Sequence, residues 1–213
     1  MSARIEALIL YAIIFLPGAL KRPDSQVSFS SVTELIRIFF FTIPASALIM
    51  YLFGRRKHFK VLGLLPCKKD FFTGLLMFPC LIIIGFFAGF AGTHFTTSDA
   101  YKELLAAPEE LMEWIILCIS CICSGYLEES YFRFYLLSQR EEFSMSAPAA
   151  VVVQAALFTI CHLYEGPWGM ANALLSGVLL ALVFLRFKTL HGLAFAHGLY
   201  NITAYAAAAL SAR

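Results

Sequence analysis

The 213-residue chain is 60% hydrophobic and only 14% charged, with a formal net charge of +2. A soluble domain carries about 25% charged residues, so an ordinary soluble fold is excluded and a single integral membrane domain over residues 1–213 is expected. The small net charge, and the lack of a phosphate-tracking Lys/Arg tract, exclude a nucleic-acid partner.

Hydropathy sets out seven spans, within a range of six to eight, and the expected fold class is an all-α polytopic transmembrane helix bundle. The first covers about residues 5–20; Glu6 and the missing small-residue cleavage pattern read as a retained helix and not a signal peptide. The second, about 33–53, carries Pro44, a kink signal. The third, about 71–92, holds Gly74, Gly85, Ala88, Gly89 and Gly92, which suit close helix contact. Four more follow at about 111–138, 146–164, 168–187 and 191–210.

The segment 54–70 is the densest basic stretch, with Arg55, Arg56, Lys57, Lys60, Lys68 and Lys69. The positive-inside rule makes it cytoplasmic, and alternation across seven spans then puts the N-terminus in the cytoplasm. The acidic 93–110 connection reads as a solvated connector, with a short surface helix over Asp99–Ala107 as the alternative. The six cysteines, five of them in apolar runs, read as structural thiols with no disulfide framework.

Inside the fourth span stand two adjacent glutamates, Glu128 and Glu129, with Arg133 one turn on. An acidic residue at mid-membrane costs roughly 2.5–3.5 kcal/mol on the translocon scale. Residues four apart share a helix face, so Glu129 and Arg133 pair. Glu128, rotated by about 100°, has no basic residue within a turn and needs a partner from elsewhere. His162, His197 and Asn201 are the candidates, and the last two lie four apart on one helix face. His191, at a helix start, reads as an interfacial residue. Depths reckoned at 1.5 Å per residue put Glu128, His162 and His197 at ~15, ~24 and ~9 Å from one membrane face. A shared site therefore requires the last helix to begin below the surface, with the 186–190 turn drawn inwards.

A desolvated glutamate is a competent base near neutral pH, and an imidazole beside it shares the work of orienting a water. A second imidazole and an amide are donors suited to an oxyanion. That set hydrolyses an amide without a covalent intermediate. The other use of one Glu and two His is a zinc site; with no HExxH present, metal is disfavoured and no cofactor is expected.

Glu128-Glu129-Ser-Tyr-Phe-Arg133 is an EExxxR motif, Phe158 to His162 is FxxxH, and His197 to Asn201 is HxxxN. In that order, inside a polytopic chain, these resemble the CPBP family, the CAAX proteases and bacteriocin-processing enzymes also called Abi proteins. The resemblance covers about residues 115–205, the motif-bearing core; residues 1–110 match only as hydrophobic helices. It implies an intramembrane glutamate-dependent endopeptidase with Glu128 as catalytic base and His162 as its partner on the water. His197 and Asn201 would form the oxyanion site, with Glu129, Arg133 and Phe158 in support. Eukaryotic members, the Ras-converting enzymes, remove the last three residues of prenylated proteins. This chain is shorter than they are and looks bacterial or archaeal, so a prokaryotic cell membrane is the expected location. The expected partners are the bilayer and a peptide or protein substrate there, such as a lipidated or membrane-proximal C-terminal peptide; no oligomeric state is indicated. The alternative is a non-proteolytic immunity or scaffold protein, or a small transporter using Glu128 as a proton site; an inverted repeat, which would favour the transporter, is not visible.

Overall fold

The computed structural model describes residues 2–20, 29–56, 66–95 and 108–211. These are all-α, but four helices, not seven, are long and apolar enough to cross a membrane: Ser31–Arg55, Lys68–His94, Leu111–Leu137 and Leu163–Phe187. The other three expected spans fail for different reasons. The first is α1 (Ala3–Ile14), 12 residues ending in a break at Phe15, followed by the single turn α2 (Leu16–Ala19). At 1.5 Å per residue it reaches ~18 Å, short of a hydrocarbon core of ~30 Å. The fifth is α7 (Ala147–Ile160), 14 residues that stop before His162. The last, α9 (His191–Ser211), has the length but carries His191, His197, Tyr200 and Asn201, and is too polar to count among the spans. An N-terminus placed in the cytoplasm by alternation across seven spans no longer follows. The 57–65 part of the basic stretch and most of the 93–110 connection, Asp99–Ala107 included, lie outside the described residues.

The first long helix joins α3 (Ser31–Arg37) to α4 (Ile43–Arg56) through a π-helical stretch, Ile38–Thr42. Pro44 lies just beyond, where its missing N–H disturbs the helical ladder. The second is α5 (Lys68–Phe95), and the third is α6 (Leu111–Glu129) continued by a π-helical segment, Ser130–Leu137. A 3-10 turn, Leu163–Glu165, leads into α8 (Gly166–Phe187). Phe40, Phe71, Phe72, Phe86 and Phe87 are each more than 60% exposed. A surface so apolar is at home in lipid, not water.

All eight residues of Ser130–Leu137 are buried, and the core is built around them. α1 docks across this segment by its polar groups: the Tyr135 hydroxyl donates to Glu6 Oε1 at 2.5 Å and the Tyr131 hydroxyl to the Ala7 carbonyl at 2.7 Å. The Tyr11 hydroxyl reaches the Leu157 carbonyl of α7 at 2.9 Å. Ile5, Leu8 and Ile13 on the opposite face stay exposed, so α1 lies against the bundle by one side.

α9 is held between α5 and α6 by glycines. A Cβ on Gly125 of α6 would stand 2.7 Å from the Ala194 carbonyl oxygen, and one on Gly198 would stand 2.8 Å from the Ile122 Cα. Only hydrogen fits at either position, so the two backbones approach as closely as small-residue membrane contacts allow. Gly74 meets Gly192 in the same way across α5 and α9, and Gly85 lies under the Tyr200 ring. Gly89 meets nothing within 4 Å, so that glycine of the expected contact stripe makes no contact.

Candidate functional site

The Gly125–Gly198 contact lies one helical turn before Glu128 on α6 and next to His197 on α9. It brings the two elements together where their polar groups are. α9 begins beside the last turn of α6: the Tyr126 hydroxyl and His191 Nδ1 are 2.9 Å apart, eleven residues, or ~16 Å, before the end of the Leu111–Leu137 helix. The 186–190 turn meets the first turn of α5. Thr189, buried there, donates to Asp70 of α5, which also accepts from the Cys67 N–H at 2.8 Å.

Glu129 and Arg133 form the expected pair, Nη1 to Oε1 at 2.9 Å, with both side chains fully buried. The guanidinium carbon also lies 4.5 Å from the Phe158 ring centroid and 5.9 Å from that of Phe132. An isolated charge at such depth costs several kcal/mol, so carboxylate and aromatic faces together keep Arg133 inside.

The same Glu129 oxygen lies 2.9 Å from Nδ1 of His197, and Nε2 of that ring lies 3.6 Å from Oε2 of Glu128. Both nitrogens thus face carboxylate oxygens, an arrangement that the doubly protonated ring satisfies. Glu128 Oε2 is buried and makes no hydrogen bond to the described residues, although the residue as a whole is part-exposed.

His162 is not on a helix. It occupies the turn after α7, with φ −103° and ψ 15°, just before the 3-10 turn. Its Nδ1 is 2.7 Å from the Phe158 carbonyl oxygen. A carbonyl only accepts, so Nδ1 carries the proton and Nε2 is left with its lone pair. Among the described residues no hydrogen bond joins His162 to Glu128; the imidazole nearest Glu128 is that of His197. What links the two histidines is Phe158, whose ring centroid is 4.6 Å from that of His162 and 5.9 Å from that of His197. One phenyl ring thus touches His162, His197 and Arg133.

Asn201 follows His197 by one turn on the same face of α9, half-buried and without a hydrogen bond among the described residues. Ser130 is buried just past the glutamates, and the Cys161 thiol donates to the Leu157 carbonyl. All six cysteines are free. No group of three His, Cys, Asp or Glu among the described residues is placed to hold a metal ion.

A second polar group was not anticipated. Ser120 and Ser124 precede Glu128 by eight and four residues, which puts all three along one face of α6. Arg37 of α3 reaches Ser120 at 2.5 Å and Ser124 at 3.4 Å, and Ser120 donates to Glu34 at 2.6 Å. The four-residue spacing was the available signal; that α3 would supply the ions was not legible.

Residues 110–203 match the family model described as type II CAAX prenyl endopeptidase Rce1-like. The match takes in all three motifs, Glu128 to Arg133, Phe158 to His162 and His197 to Asn201, and leaves α1 to α5 outside. No curated protein and no solved structure matches the chain.

Proposed function

We propose that this chain, which carries a CPBP/Rce1-like CAAX-protease family domain over residues 110–203, is an intramembrane endopeptidase that hydrolyses a peptide bond with a water activated by Glu128. The observation that carries the reading is the Glu128 carboxylate itself. Its Oε2 is buried and unbonded to the described residues, with an imidazole nitrogen 3.6 Å away. A carboxylate oxygen with an open acceptor position beside an imidazole is placed to take a proton from a water.

In this mechanism Glu128 takes a proton from the water, and the oxygen attacks the carbonyl carbon. The lone pair on Nε2 of His162 accepts the water's other hydrogen and orients it. Charge moves to the carbonyl oxygen, where the Nε2–H of His197 and the amide of Asn201 donate to it. Glu128 then passes its proton to the amide nitrogen, the C–N bond breaks, and carboxylic acid and amine leave. Glu129 acts at one remove: its hydrogen bond to Nδ1 fixes the His197 ring, and Arg133 and Phe158 fix Glu129 and both rings. The family description supports a substrate presented at the membrane, such as a lipidated or membrane-proximal C-terminal peptide.

The test compares membrane and secreted peptide termini between cells carrying the wild-type chain and cells carrying Glu128→Gln at equal abundance. New C-termini present only with wild type support the reading. Identical sets of termini overturn it.

A further inference from the structure

At the end of the bundle where α5 begins and α8 ends, the two helices leave a shallow apolar groove of about 270 Å³ between them. Its lining includes Phe72, Leu76 and Met77 from α5 and Val183 and Phe187 from α8. From Lys69 at its mouth to Leu76 it runs seven residues of helix, ~10 Å. The groove faces outwards, with Phe72 64% and Leu76 59% exposed. Two cations lie at its polar end: Lys69 Nζ is 5.6 Å from the Phe187 ring centroid, and the Arg186 guanidinium carbon is 5.5 Å from the same centroid. Lys188 follows, its Nζ 5.2 Å from the Phe184 ring.

Neither Lys69 nor Arg186 makes an ion pair among the described residues. The nearest carboxylate in sequence, Asp70, is buried and turned to Thr189 and the Cys67 N–H. Two cations at one end of the trough, neither paired with a carboxylate among the described residues, make that end complementary to an anion. The adjoining apolar trough lies on two of the long apolar helices. Phosphate at the mouth and hydrocarbon along the trough are the two halves of a single molecule.

We propose that this groove is a binding site for an anionic phospholipid, with the phosphate held by Lys69 and Arg186 and one acyl chain laid along Phe72, Leu76 and Val183. Basic pockets between membrane helices take lipid head groups of this charge, each cation near the surface contributing about 1 kcal/mol, or roughly fivefold in affinity. The site lies on the α5–α8 face and does not depend on the hydrolytic reading.

The purified full chain is delipidated in detergent and titrated with phosphatidylglycerol or phosphatidylcholine of identical acyl chains, and bound lipid is counted by native mass spectrometry. Wild type is expected to hold phosphatidylglycerol at least fivefold more tightly, and K69Q/R186Q to hold the two lipids equally. Equal binding of both lipids by wild type overturns the proposal, as does a double variant that keeps the preference. Should the double variant fold poorly, Leu76→Trp in otherwise wild-type protein gives an independent reading. Its added fluorescence is quenched more by phosphatidylglycerol with brominated chains than by the matching phosphatidylcholine if the groove selects the anionic lipid. Equal quenching overturns the selection.

Discussion

Nδ1 of His197 lies 2.9 Å from Oε1 of Glu129, the same oxygen that pairs with Arg133. One buried carboxylate therefore anchors two cationic groups, and the pair that fixes the fold locally also fixes the imidazole beside Glu128. Stability and geometry at the site are coupled through Glu129, and the two are separable by mutation.

Glu129→Gln leaves Arg133 charged and unpaired at full burial. Breaking a buried pair from one side costs about 3–5 kcal/mol, so the yield of monodisperse protein and its thermal midpoint should both fall. The double variant Glu129→Gln/Arg133→Met removes both charges and should recover much of the midpoint. Activity should stay low in the double variant, because His197 has still lost its carboxylate. Recovery of activity together with the midpoint would assign Glu129 a purely structural part.

The Gly125–Gly198 contact predicts a different sensitivity. A Cβ at Gly125 meets backbone 2.7 Å away, which cannot yield as a side-chain tip can. Gly125→Ala should push α9 off α6 and lower activity by at least about tenfold, since an ångström of misplacement at a reacting centre costs about 100-fold. Gly89→Ala is the control: its Cβ meets nothing within 4 Å, and replacing a helical glycine by alanine gains roughly 0.5–1 kcal/mol. Activity assays and thermal unfolding of the two variants side by side check this.

The mechanism uses a carboxylate and imidazoles to activate the water. Cleavage should therefore survive strong chelators and resist serine-type acylating reagents. Activity lost to a chelator and restored by Zn²⁺ would move the water onto a metal.

The polar set was legible because each member breaks an apolar run, and the Glu129–Arg133 pair because four residues make one turn. Which imidazole stands nearest Glu128 was not. The fifth span was drawn as a helix through residue 164, whereas α7 ends at Ile160 and His162 sits in a turn closed by Gly166 at φ 75°. Hydropathy windows see apolar length and not where a helix stops, so α1 and α7 passed as spans. The placement of α9 against α5 and α6 depends on Gly74–Gly192 and Gly125–Gly198 contacts. Those are pairings between distant segments that no single stretch of sequence displays. The same limit hid Arg37 and Glu34, which reach Ser120 from 83 and 86 residues away.

Glu128 is the proposed base. Its most direct test is the cleavage rate of the purified chain in proteoliposomes, wild type against Glu128→Gln, on a peptide spanning a terminus found in cells. The substitution keeps size and removes basicity, and Glu129, Arg133 and His197 retain their contacts with one another. The rate is expected to fall ~10²–10⁴-fold with an unchanged thermal midpoint. Equal rates for the two proteins would contradict it.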